Sequence, residues 1–380
     1  MPGFENSRFK ASLLWLFLVV LLGFVGNSLR YELRSYSLLV HFLDPQASSP
    51  LLRWETQPIT TQEFAISTSG GSVRARRYMP TGVAHPPGLL LVHGIHHLGI
   101  DEPRLMSFAR AAAGNGFAVL TPEVAALADY HVDDSSIALI GESAAWLQQS
   151  LGDGPVTVVG VSFAGCLALL AASDAQFAPH MRALLLMGAY DDLERVTRFL
   201  ATSQAELPDG RWEPYTAHDY GAAVFVYSNL DKFFSADDLT VAHEALRYWL
   251  WEQPENAQAL LPRLSPDGRS VMELLLARKI DALRPKLLAV IDAEQSQMKA
   301  VSPQGRLRDL RVPVFVLHGA TDDIIPSTES LWLQREIPPK VLRDVLITPA
   351  FSHVDPEKSA KWSDELRLVN FLAGVIRTAD

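Results

Sequence analysis

The sequence predicts an α/β fold: a mostly parallel, doubly wound sheet of about eight strands, with an inserted helical cap and a membrane-directed helix at the amino terminus. Three observations predict it. Short apolar runs at 89–92, 117–120, 156–159, 183–187, 312–317 and 341–347 have the length and the β-branched or leucine-rich character of strands buried on both faces. Stretches with apolar residues at helical spacing, such as 102–115 and 132–151, alternate with them, as strand-helix-strand units require. Roughly 120 residues then separate 187 from 312, far beyond an ordinary connection, so they are expected to fold as an insertion.

Composition narrows the function. The 380 residues are 48% hydrophobic and 20% charged, which describes a globular chain able to bury a large core. A net charge of −10 argues against a phosphate-backbone partner, so no nucleic acid is expected. Cys166 is the only cysteine and excludes an internal disulfide or a cysteine-rich metal cluster. It reads as a small buried thiol. No GxGxxG or P-loop spacing is present, so no cofactor is expected. His93, His96, His97 and Asp101 crowd one loop, but HxxHH lacks a helix to converge the ligands, and no metal is expected either.

The amino terminus is membrane-directed. Residues 11–29, ASLLWLFLVVLLGFVGNSL, carry no formal charge, and at about 1.5 Å per residue they approach the ~30 Å of a bilayer core. Arg8 and Lys10 precede them and favour a cytoplasmic amino terminus. Residues 1–30 are therefore expected to be a single-pass anchor, with the rest of the chain on the non-cytoplasmic side. The alternative is a signal segment cleaved near Gly26 to Ser28, giving a secreted protein.

Residues 31–61, with Pro45, Pro50 and Pro58, read as a linker or entry segment, and Tyr36 to Leu43 as a short helix or strand. Extended patterns at 62–68 and 72–78 flank SGG and suggest a hairpin. The run at 89–92 ends in HGIHHLG. After the helix-strand-helix stretch comes 156–171, VTVVGVSFAGCLALLA, where a β-branched run stops at Gly160 and a small-residue helical pattern begins after Ser162. A serine on such a turn projects its hydroxyl above the sheet. GESAA at 141–145 presents Ser143 in a similar frame, but the helical period continues through it, so Ser143 reads as a helix residue.

The insertion shows helical spacing at 191–203, 237–252, 269–282 and 285–299. Trp212, Trp249, Trp251, Phe225, Phe233 and Phe234 are candidates for an apolar cleft or, for most of them, for the core of the insertion. Residues 312–326 read VPVFVLHGATDDIIP, a buried strand followed by a glycine turn and two aspartates. A last strand at 341–347 precedes FSHVD, and a final helix is expected from 357 to about 377. The organisation is thus 62–189 and 311–380 as the two parts of the core, with 190–310 as the cap.

GVSFA with its preceding strand, the HG loop at 93–94 and HGATDDIIP together resemble the α/β-hydrolase superfamily, over about 70% of the chain. Ala164 stands where GxSxG has its second glycine, and Gly165 follows. The resemblance implies a catalytic triad of Ser162, Asp322 and His353, with Asp323 as the neighbouring alternative acid. It also implies an oxyanion hole made by the backbone N–H groups of Ile95 and Phe163, and a cap that covers the site and shapes substrate choice. The order Ser, Asp, His is the chain order of that family. The function so implied is a membrane-associated serine hydrolase that cleaves a carboxylic ester or related acyl bond of an apolar small molecule through an acyl-enzyme intermediate. A peptidase, an amidase or an acyltransferase of the same fold, or a catalytically silent binding or scaffold protein, are the alternatives.

Overall fold

The computed structural model describes residues 29–49, 52, 56–152, 154–350 and 361–380. The strands are β1 (Ile59–Thr68), β2 (Gly71–Pro80), β3 (Gly88–Val92), β4 (Ala118–Pro122), β5 (Val156–Val161), β6 (Met181–Met187), β7 (Gln204–Glu206), β8 (Trp212–Pro214), β9 (Val314–Gly319) and β10 (Leu342–Thr348). Eight of them form one sheet in the order β1-β2-β4-β3-β5-β6-β9-β10, and β7 and β8 form a separate ribbon. The β1-β2 hairpin and the β2-β4 pair are antiparallel, and every other pairing in the large sheet is parallel.

Successive residues of the central strands serve opposite faces. Leu90 and Val92 of β3 join one apolar cluster, Leu89 and Leu91 the other. The first cluster lies under α3 (Ser135–Leu151) and α4 (Phe163–Ser173), and the second under α1 (residues 29–43), α2 (Pro103–Gly114) and the carboxy-terminal helix Trp362–Ala379. Both faces are thus covered, which is why β3, β4 and β9 read as mainly apolar runs.

Helix α1 occupies much of the stretch read as a linker. Its Arg34 is buried, donates to the backbone oxygen of Asn115 at 3.0 Å and pairs with the Asp380 carboxylate. Ser35 Oγ donates to the Val369 oxygen at 2.8 Å. These partners are 81 or more residues away, so local pattern offered little sign of the packing. Among the described residues no helix is long and apolar enough to cross a membrane. Of residues 1–30, expected to be the membrane anchor, 1–28 lie outside the described residues, and 29 and 30 begin α1.

Between β6 and β9 the chain forms α5 (Leu193–Thr202), α6 (Asp219–Ser228), α7 (Leu239–Leu250), α8 (Pro266–Leu276) and α9 (Ile280–Ala293), with the β7-β8 ribbon and shorter turns. Helix α6 was not expected. Six of its ten residues are buried, so it lacks the polar face that gives a helix its period. The insertion is tied to the core by charge: Arg195 of α5 donates to Glu329 at 2.5 and 3.0 Å and to Asp191 at 3.0 Å. Glu329 belongs to α10 (Thr328–Glu336), and it also accepts the Asp191 and Asp192 N–H groups. The carboxy-terminal helix is α11.

Candidate active site

Ser162 sits between β5 and α4 with φ +55° and ψ −129°, a conformation that non-glycine residues seldom adopt and that costs on the order of 1–3 kcal/mol. Surrounding hydrogen bonds hold it there. Its N–H donates to the Met187 oxygen at 2.7 Å, and its own carbonyl accepts from Gly165 N–H at 2.9 Å. The turn is so tight that a Cβ on Gly160 would lie 2.5 Å from Gly165 Cα and 2.9 Å from the Ala164 oxygen. The residue facing Gly160 is thus Gly165, and Ala164 is accommodated, fully buried, one position before it. That is the physical reason the departure from GxSxG is tolerated.

Gly94 carries the loop after β3 against this turn: a Cβ there would stand 3.1 Å from Ser162 Cβ and 3.2 Å from the Val161 oxygen. His93 holds the loop in place. Its Nε2 accepts the Val124 N–H at 2.9 Å, so Nδ1 carries the proton and donates to the Gly94 oxygen at 2.8 Å. Burial drives its pKa down to about 4, so the ring is neutral. Because C=O and N–H of a trans peptide point in opposite directions, fixing the Gly94 carbonyl also fixes the direction of the Ile95 N–H. Phe163 is the first residue of α4, and its N–H is among those with no acceptor inside the helix. Ile95 and Phe163, the residues expected to supply the two oxyanion donors, line one cleft with Ser162.

Asp322 follows β9 and is fully buried. Its Oδ1 accepts the N–H groups of Ile324 at 3.0 Å and Ile325 at 2.9 Å, and its Oδ2 lies 3.3 Å from His318 Nε2. Two amide donors orient the carboxylate. Asp323 is half-buried and lines the cleft instead, its carbonyl accepting the His218 N–H at 2.8 Å. His353 lies outside the described residues. Ser143 stands within α3, with its hydroxyl donating to the Leu139 oxygen at 2.7 Å.

A cleft of about 730 Å³ lies over Ser162, between the loop at 95–98 and the start of α2 on one side and Leu200, Tyr220, Val224 and Trp251 of the insertion on the other. A cavity of about 400 Å³ continues past Ile95 and Phe163 and shares Leu200, Gly221 and Val224 with the cleft. Of the six candidate aromatics, Trp251 lines the cleft and Phe225 the inner cavity, whereas Phe233 and Phe234 are core and Trp212 is half exposed. His97 stacks between His96, at 4.6 Å, and Trp251, at 5.2 Å, which joins the loop after β3 to the insertion. Asp101 pairs with Arg74 and Arg76 rather than with the histidines, and among the described residues no cluster could hold a metal ion.

Sequence reading passed over Glu102 and Arg104, which flank Pro103 at the cleft wall. Glu102 caps α2 through the Leu105 N–H and accepts from Arg104 Nε, both at 2.7 Å. Burial pushes its carboxyl up, but these hydrogen bonds outweigh it and hold the group below its ordinary value. The signal was present in Glu-Pro, a common helix start.

The family model described as the alpha/beta hydrolase fold matches residues 87–355. Similar solved structures include the 2-hydroxy-6-oxo-6-phenylhexa-2,4-dienoate hydrolase of Rhodococcus sp. strain RHA1, at 15% identity over 84% of this chain and 100% of that one, with a TM-score of 0.45. The esterase domain of a Rhodothermus marinus protein is 16% identical over 84% and 98%, with a TM-score of 0.43. A meta-cleavage product hydrolase of Pseudomonas fluorescens IP01 is 15% identical over 83% and 98%, with a TM-score of 0.44. Comparison with curated proteins gave no match. A match that begins just before β3 and runs past β10 to residue 355 makes the chain a member of the alpha/beta hydrolase fold family.

Proposed function

We propose that the protein is a serine hydrolase that cleaves a carboxylic ester or related acyl bond through Ser162. The observation that carries this reading is the strained backbone of Ser162 at the floor of the cleft, with the Gly94 loop against it. A serine hydroxyl is a weak nucleophile near neutral pH, so His353 takes its proton as the oxygen attacks the substrate carbonyl. Asp322, held by two amides, orients the imidazole and stabilises its cationic form. The N–H groups of Ile95 and Phe163 receive the negative oxygen of the tetrahedral intermediate, and loss of one such donor costs roughly 10²–10³ in rate. His353 returns the proton to the leaving alcohol, and water, activated in the same way, releases the acid from Ser162.

The test is labelling by a fluorophosphonate probe. Ser162→Ala abolishes it and Ser143→Ala leaves it intact; retained labelling in the first variant would overturn the assignment. The uncharged stretch at 11–29 supports membrane attachment, with the catalytic domain on the non-cytoplasmic side. Release of full-length protein by an osmotic wash of the cells would count against the anchor.

A further inference from the structure

A recess of about 100 Å³ opens beside Ser162 and is distinct from the inner cavity. Leu91, Leu105, Phe108 and Met187 line it, all members of the apolar cluster under α1 and α2, whereas the inner cavity is lined by Phe163, Leu193 and Leu200 of the opposite cluster. Ser162 therefore has a small chamber on one side of the sheet and the capped space on the other. The chamber's rim, Glu102, Arg104 and His96, is also part of the cleft wall, so the two communicate.

One wall comes from Phe42, at the end of α1 and ahead of the region 87–355 that the family pattern covers. Its ring meets Phe108 edge to face, with centroids 5.5 Å apart, and its carbonyl accepts the Ser107 hydroxyl at 2.9 Å. Side chain and main chain together pin this end of α1 to α2.

We propose that this recess takes the acyl group of the substrate, that it admits a short one only, and that Phe42 sets the limit. The inference rests on the serine-hydrolase reading. In that reaction the acyl half stays bonded to Ser162 while the alcohol half must depart. The open cleft of about 730 Å³ gives the alcohol a way out, and the recess gives the acyl half a seat that does not block it. Apart from His93 and the polar rim its lining is apolar, and its volume is well below the roughly 300–1,000 Å³ of sites for drug-sized ligands, so the group is a short alkyl chain.

The experiment uses the full chain in detergent and p-nitrophenyl esters from acetate to octanoate, with Phe42→Ala, Phe42→Trp and, as a control, Leu43→Ala at the exposed neighbouring position. In the wild type kcat/KM falls at least about tenfold from butyrate to octanoate, as the displacement of methylenes from a fitted pocket implies. Phe42→Ala raises the octanoate-to-acetate ratio by about tenfold, Phe42→Trp lowers butyrate relative to acetate, and Leu43→Ala changes neither. Should Phe42→Ala fail to fold, Phe42→Leu and Phe42→Trp carry the comparison. Equal ratios in folded, active Phe42 variants and wild type overturn the proposal. So does a Phe42 effect confined to a series in which the alcohol, not the acyl group, is lengthened. A wild type that neither hydrolyses any ester nor takes up the fluorophosphonate overturns the serine-hydrolase reading itself, a result distinct from activity without Phe42 dependence.

Discussion

Gly160 and Gly165 face each other across the turn at Ser162 so closely that a Cβ on the first would stand 2.5 Å from the Cα of the second. The contact is backbone against backbone, so no side chain can swing away. Gly160→Ala must therefore displace the turn, at about 3 kcal/mol or more, and abolish fluorophosphonate labelling. Gly165→Ala meets Ala189 Cβ at 2.9 Å and costs about 1–3 kcal/mol. Ala164→Gly, which restores the family pattern, brings no gain in labelling and loses about 1 kcal/mol of helix propensity. Urea midpoints and probe labelling read all three, and a gain from Ala164→Gly would show that the turn is limited at 164 after all.

His93 links stability to pH. Its folded pKa of about 4 lies below the ordinary value of about 6.5, so the unfolded chain binds the proton more tightly. The stabilisation is complete above about 6.5 and is lost as pH falls towards 4, up to about 3 kcal/mol. His93→Gln keeps a donor and an acceptor but does not titrate. Its unfolding free energy is expected to fall less steeply than that of the wild type between pH 6.5 and 4.5, and parallel curves would remove His93 as the source.

The Arg195 cluster carries the junction between insertion and core. Asp191 and Glu329 are both fully buried beside it, so Arg195→Met leaves buried carboxylates without their cation and costs about 3–5 kcal/mol in urea unfolding. Burial, with Glu329 nearby, raises the Asp191 pKa to about 7. The folded chain therefore holds this proton more tightly than the unfolded one. The contribution is complete below about 4 and is lost as pH rises through about 7. Asp191→Asn escapes that loss, so its stability relative to wild type should rise between pH 5 and pH 8; a constant difference would contradict the sign.

What could be read from the sequence follows from where each signal is local. Strands β3, β5 and β9 announce themselves because both faces are buried, so nearly every residue of the run is apolar, Thr157 and His318 excepted. Ser162 and the HG loop stand at the ends of such runs, and their positions follow from them. Helix α1 was half-seen, since Arg34 and Ser35 answer to residues at 115, 369 and 380 and not to neighbours. Helix α6 was missed because it is buried nearly all round. The walls at Phe42 and Leu200 are products of folding: Phe42 gains its place from Phe108 and Leu200 packs against Gly221, and no spacing records that.

Gly221 of α6 lies against Leu200 of α5, where a Cβ would come within 2.4 Å of Leu200 Cδ2 and 2.7 Å of Cδ1. Here the obstacle is the end of a flexible side chain. Leu200 can turn aside at little energetic expense, and replacing glycine inside a helix returns up to about 1 kcal/mol. Gly221→Ala is therefore expected to change the urea midpoint little. The displaced Leu200 borders both the cleft and the inner cavity, so its movement narrows the space they share. Bulky substrates should lose at least about tenfold in kcat/KM while small ones lose little. Leu200→Ala in the same background removes the obstruction and should restore them. A uniform loss for small and bulky substrates alike, unrepaired by Leu200→Ala, would mean that the wall between the two spaces plays no part in selection.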